Sequence, residues 1–122
     1  MKKILIIEDD VVTASIYRRN LERAGFEVAL APDGQAGLES IEQWSPDAVL
    51  LDVMMPQLSG INMLKMLRAL PSGSALPVVV MTNAYVPQVV NEARAAGANQ
   101  VLAKGTMTPH TLATAFREAL AA

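Results

Sequence analysis

Cysteine is absent from this 122-residue chain, so no disulfide staples it. A single histidine, His110, leaves no Cys- or His-paired zinc site either. At this length a domain buries roughly two thirds of the surface its unfolded chain exposes, so neither staple is needed. Long apolar runs are missing too. Hydrophobic residues make up 52% of the chain, yet no run approaches the roughly 20 residues that span a bilayer. Lys2-Lys3 is followed by only four apolar residues before acids intervene, so no signal peptide is expected. Blocks of basic charge are also lacking, and the net charge is −2. That argues against direct nucleic-acid binding, which rests on cationic contacts to phosphates. The expectation is one domain over residues 1–122, cytoplasmic, with no membrane association.

What the chain does contain is a rhythm. Short apolar runs at residues 3–7, 26–29, 48–51, 78–82 and 100–103 alternate with amphipathic segments. Runs that are apolar on both sides suit strands buried on both faces of a parallel sheet. The segments between them carry period-3.6 stripes. Ala14, Tyr17, Leu21 and Ala24 share a face before Gly25, and Leu38, Ile41 and Trp44 do so before Pro46. Ile61, Leu64 and Leu67 mark a third helix, and a fourth runs from Pro87 toward Gly97. In the fifth, Thr108 is the N-cap and Leu112, Ala115, Phe116 and Ala119 face inward. Five strand–helix repeats with short loops predict an α/β doubly wound, five-stranded parallel sheet with helices on both faces. The order 2-1-3-4-5 is adopted; it makes strands 1 and 3 neighbours and puts the switch point between them.

The strand ends carry the chemistry. Glu8, Asp9 and Asp10 follow the first strand, Asp52 follows the third, Thr82 ends the fourth, and Lys104 follows the fifth. Converging carboxylates repel one another and call for a cation, for which Mg²⁺ is suited because it takes carboxylates, waters and phosphate oxygens. Asp52 can then act as a nucleophile that forms an aspartyl-phosphate. Mg²⁺ held by Asp9 and Asp52 would neutralise charge on the phosphoryl oxygens. Lys104 would offset a further oxygen, and the Thr82 hydroxyl would donate to another.

These segments resemble the receiver domain of two-component response regulators. The carriers are Ile4-Leu5-Ile6-Ile7-Glu8-Asp9-Asp10, Asp52-Val53-Met54-Met55-Pro56-Gln57-Leu58-Ser59-Gly60, Val80-Met81-Thr82 and Ala103-Lys104. The separations of 43, 30 and 22 residues between Asp9, Asp52, Thr82 and Lys104 are similar to the family's. The resemblance covers the whole chain and implies a flavodoxin-like fold. It implies that Asp52 takes a phosphoryl group from a histidine kinase or phosphotransfer protein. It implies Mg²⁺, with Mn²⁺ able to replace it, bound by Asp9, Asp52 and the Met54 backbone carbonyl, with Glu8 outside them and acting through water. Phosphorylation would draw in Thr82 and remodel the surface of strand 4, helix 4, strand 5 and helix 5 for a downstream effector. The domain would be a monomer or a weak phosphorylation-dependent dimer. It would not be a turnover enzyme; its only chemistry would be gain and loss of phosphate at Asp52.

Three positions depart from the family pattern. Gly105 stands where proline is usual after the lysine, so a trans Lys104–Gly105 peptide and a more flexible loop are expected. Val101 replaces the usual switch aromatic, and Asn83 replaces a small residue beside Thr82. They lend weight to a second reading, a degenerate receiver that binds partners without phosphate. A Mg²⁺-dependent aspartyl phosphatase fits less well, because Glu8-Asp9-Asp10 lacks its Asp-x-Asp pattern. A nucleotide binder would meet acids where it needs a phosphate loop. Asp10 reads as a helix N-terminal acid and His110 as an exposed first-turn residue. Met63, Met66, Met81 and Met107 read as core filling.

Overall fold

The computed structural model describes residues 1–53 and 60–121. Five parallel strands alternate with helices: β1 (Lys3–Ile7), α1 (Val11–Arg23), β2 (Glu27–Ala31), α2 (Gly34–Trp44), β3 (Ala48–Asp52), α3 (Gly60–Ala69), β4 (Val78–Thr82), α4 (Pro87–Ala95), β5 (Gln100–Ala103) and α5 (Pro109–Ala121). The order across the sheet is β2-β1-β3-β4-β5, as adopted from the sequence. Because side chains alternate along a strand, β1, β3 and β4 each feed two cores. Ile4, Ile6, Ala48, Leu50, Val79 and Met81 pack with Leu21 of α1 and Leu112 and Phe116 of α5. Leu5, Ile7, Val49, Leu51, Val78 and Val80 pack on the other face with Ile41 of α2, Met63, Leu64 and Leu67 of α3, and Ala93 of α4.

The helix ends follow their caps. The Asp10 carboxylate accepts from the Val12 and Thr13 backbone N–H groups and from the Thr13 hydroxyl, which opens α1. Asp33 accepts from Ala36 N at 2.8 Å to open α2. Thr108 Oγ1 accepts from Thr111 N at 3.1 Å at the start of α5. His110 is exposed there, as expected.

Two expectations need correction. β2 begins and ends later than the apolar run 26–29 suggests. The Phe26 N–H is spent on Leu21 O in the turn after α1, and pairing with β1 then runs from Glu27 to Ala31. Met66 is not core: it is 47% exposed. Gly60, Met63, Leu64 and Leu67 already fill the inward face of α3, and Met66 points away from them.

The placement of Asp52 depends on a close approach. A Cβ on Gly60 would lie 2.2 Å from Val53 Cα and 2.7 Å from Asp52 O. Only glycine lets the start of α3 rest on that backbone, where Gly60 N donates to Val53 O at 3.1 Å.

Candidate functional site

β1 and β3 lie side by side with Ile7 opposite Leu51, so the residues that follow them meet at the carboxyl edge of the sheet, where the strand order reverses. Asp52 is the last residue of β3 and is buried. Glu8 extends β1 by donating its N–H to Ala31 O at 3.1 Å, and its side chain is buried as well. Asp9, next in the chain, turns outward and is exposed. Carboxylate oxygens of Glu8, Asp9 and Asp52 all lie within 4.8 Å of one another. Lys104, just past β5, reaches across the sheet into this group. Its ammonium donates to Asp52 Oδ2 at 3.0 Å and to Glu8 Oε1 at 3.2 Å.

The electrostatics follow from one cation serving two buried acids. Two carboxylates about 4 Å apart repel by about 4 kcal/mol at an intermediate dielectric. Glu8 relieves this by keeping its proton. Burial, then the hydrogen bond to Asp52 and the Asp52 charge, push it up to about 8 against the pull of Lys104. Burial works against the Lys104 charge, but the hydrogen bond and charge of Asp52, followed by those of Glu8, outweigh it and raise the ammonium pKa. Asp10 takes no part in this group. Its hydrogen bonds to Thr13 lower its pKa at the mouth of α1.

The donor set suits a hard divalent cation. It offers carboxylate oxygens from Glu8, Asp9 and Asp52, without a thiolate or imidazole. The Met54 carbonyl named from the sequence lies outside the described residues.

Thr82 closes β4 and is fully buried. Its neighbour Met81 pairs with Asp52, which puts the hydroxyl at the same edge of the sheet. Thr82 Oγ1 accepts from Ala84 N at 2.9 Å, and its own proton remains available to donate. Asn83 is exposed, and Val101 is buried in the core that α4 covers. Lys104 itself opens a short 3-10 turn, Lys104–Thr106, held by a long Met107 N to Lys104 O contact of 3.4 Å. Its peptide bond to Gly105 is trans, as expected, since no described peptide is cis.

Nothing lies within 4 Å of where a Gly105 Cβ would stand, and its φ is outside the positive region. Gly105→Ala is therefore expected to raise stability by about 0.4–1 kcal/mol through the unfolded chain. Urea unfolding checks this, and a loss of stability would mean the turn needs glycine after all.

Sequence reasoning brought Asp9, Asp52, Thr82 and Lys104 to one edge but cast Glu8 as peripheral. In the fold it is buried and shares Lys104 directly with Asp52. No local signal marks that, because adjacent acids in a strand-exit sequence look alike.

A family model described as "Response regulator receiver domain" matches residues 4–117. Response regulator MprA of Mycolicibacterium vanbaalenii is 42% identical over 80 residues, which are 66% of this chain and 34% of that protein. The chain thus spans about a third of the length of the curated relatives it matches. Among solved structures, the chemotaxis protein CheY4 of Vibrio cholerae superposes with a TM-score of 0.92 at 28% identity, over 98% of both chains. The receiver domain of the sensor histidine kinase PA1611 of Pseudomonas aeruginosa, solved with a magnesium ion in its active-site cleft, gives 0.90 at 26% identity, covering 99% of this chain and 98% of that one.

Proposed function

Because the chain belongs to the response regulator receiver domain family of two-component signalling, we propose that Asp52 is its phosphoacceptor and that a partner's phosphohistidine is the donor. The observation that carries this reading is the ion pair of Asp52 with Lys104 inside a cluster of three carboxylates. An Asp52 oxygen forms a bond to phosphorus as the phosphorus–nitrogen bond of the donor breaks, and the electron pair leaves with the imidazole. Lys104 is already beside the Asp52 oxygen, so it meets the incoming phosphoryl charge without large reorganisation. Thr82 turns its free proton toward a second phosphoryl oxygen while it keeps the Ala84 N–H as a donor. Asp9 and Asp52 would hold Mg²⁺ (or Mn²⁺), with Glu8 beside them, and the ion would supply charge neutralisation on the transferring group. The magnesium of the PA1611 receiver domain supports that choice of ion.

A histidine kinase or phosphotransfer protein upstream and an effector protein or domain downstream are the partners that this reading implies. Residues 1–122 then act as one receiver domain in the cytoplasm, monomeric or weakly dimerised by phosphate, with no enzymatic turnover beyond Asp52. Among the described residues no helix is long and apolar enough to cross a membrane.

Incubation with Mg²⁺ and phosphoramidate, followed by intact-mass measurement, tests the proposal. A gain of one phosphoryl group in the wild type and none in Asp52→Asn is expected. No gain in the wild type with any small donor or kinase would favour the degenerate receiver instead.

A further inference from the structure

The two edges of the sheet are not alike. At the β5 edge the Gln100 side chain donates to Ala115 O at 3.2 Å and to Glu118 Oε2 at 3.3 Å, which ties that strand to α5. β2 forms the other edge. On its inner side it pairs in parallel with β1, from Lys3 opposite Glu27 to Ile7 opposite Ala31. The Glu27 N–H donates to Lys2 O at 2.9 Å, and Ala31 O accepts from Glu8 N at 3.1 Å. Backbone groups alternate in direction along a strand. Glu27, Ala29 and Ala31 therefore face β1, while Val28 and Leu30 turn their N–H and C=O groups outward. Among the described residues no strand pairs with β2 on that outer side.

Both ends of this open ladder are closed. Residues 26 and 32 are the next to face outward. The Phe26 N–H is spent on Leu21 O at 3.1 Å, and Pro32 has no N–H. The donors left at the edge are those of Val28 and Leu30, two residues apart. Natural proteins blunt such edges with charged side chains, bulges or proline within the strand. Here residues 28–31 read Val-Ala-Leu-Ala, with Val28, Ala29 and Leu30 only half-buried.

We propose that this edge pairs with the same edge of a second copy of the chain, antiparallel about a two-fold axis at Ala29. Val28 of each copy then lies opposite Leu30 of the other, and each such pair exchanges both of its N–H···O bonds. Every donor left at the edge finds an acceptor. Phe26 meets Pro32, and neither brings an N–H that would go unsatisfied. Glu27 comes opposite Ala31, not opposite an acid. Val28 and Leu30 already pack on the core beneath α1, so their side chains meet as apolar cross-strand pairs on that face. The self-complementarity selects a second copy over an unrelated extended peptide, because one isologous contact uses the same groups twice.

A contact this small is weak, with a dissociation constant on the order of 10⁻⁴ M. β2 lies beyond β1 from β3, β4 and β5, so the pairing needs no phosphate and leaves the β5 edge of both copies open. A target that engages both copies at once gains affinity through avidity.

Sedimentation velocity of the full chain from about 10 µM to about 1 mM, without any phosphodonor, tests the pairing. The mass should rise toward that of a dimer with concentration. Over the same range the Val28 and Leu30 amides should exchange roughly tenfold more slowly, while the amides that face β1 hardly change. Leu30→Pro removes only an outward N–H, which an edge strand tolerates. It should stay monomeric at the highest concentration with amide protection in β1 and β3 intact. Leu30→Lys keeps the N–H but sets two ammonium groups within diagonal reach across the axis, so it should pair more weakly than the wild type and recover part of the loss at high salt. This variant carries the test if the proline variant fails to fold. A wild type that stays monomeric throughout would overturn the proposal. So would a dimer in which Val28 and Leu30 exchange as fast as in the monomer, since another face would then hold the copies together, or one that both variants leave unchanged.

Discussion

Arg68→Ala is expected to lower the unfolding free energy by about 3 kcal/mol, with the urea midpoint falling at constant m. The guanidinium serves three backbone carbonyls, those of Gly73, Leu76 and Gly97, all at partly buried positions. A charged donor to a neutral acceptor contributes about 1.5 kcal/mol or more, and an acceptor left dry costs about as much as the bond itself. Burial lowers the Arg68 pKa, which marks the same desolvation. Alanine also removes the aliphatic stem that packs on Gly97. Lysine should recover under half of the loss, since its compact ammonium cannot reach three carbonyls from one fork. A loss below about 1 kcal/mol in Arg68→Ala would mean that water replaces the guanidinium at these carbonyls.

The second large effect is expected in the pH dependence of the metal-free protein. Glu8 has an ordinary value of 4.5 and is held at about 8 in the fold. Between those values the folded chain binds a proton that the unfolded chain has released. Stability from this group is therefore fully present below about pH 4.5 and is lost as pH rises to about 8, at about 1 kcal/mol per unit. The shifts of Lys104, Tyr17 and Asp10 do not reverse the sign in this window. The raised pKa of Lys104 keeps it charged throughout, and the raised pKa of Tyr17 keeps it neutral. The lowered Asp10 value acts on the acid side, below its ordinary 3.8. Urea midpoints measured with a chelator from about pH 5 to about pH 8 should fall steadily in the wild type and stay nearly flat in Glu8→Gln. Adding Mg²⁺ should stabilise more at the high end of that range, where no proton has to leave Glu8. A flat wild-type profile would show that Glu8 shares no proton with Asp52.

Much of this was readable from local pattern. Four of the five strands were placed within a residue of their observed ends, because a two-sided apolar run is a property of consecutive residues. β2 was not, because a backbone bond from Phe26 back to Leu21 decides where pairing with β1 can begin. Asp10 was legible as a cap because the N–H groups that donate to it are two and three residues away. The tie made by Arg68 was not legible, since an arginine at the end of an amphipathic helix reads as a solvated charge. Its acceptors lie 5, 8, 29 and 31 residues along the chain.

The sequence by itself determined the alternating elements, the sheet class and the set Glu8, Asp9, Asp52, Thr82 and Lys104. Each depends on residue type at a strand end, and strand ends follow from short-range periodicity. Only the tertiary structure decided which acid is buried and which faces water, that Lys104 spans 96 residues of chain to stand between Glu8 and Asp52, and that Arg68 ties the segment after α4 to the end of α3. Burial, proton affinity and anchoring depend on how closely distant segments approach, and that distance is set by packing of the whole sheet rather than by any stretch of it.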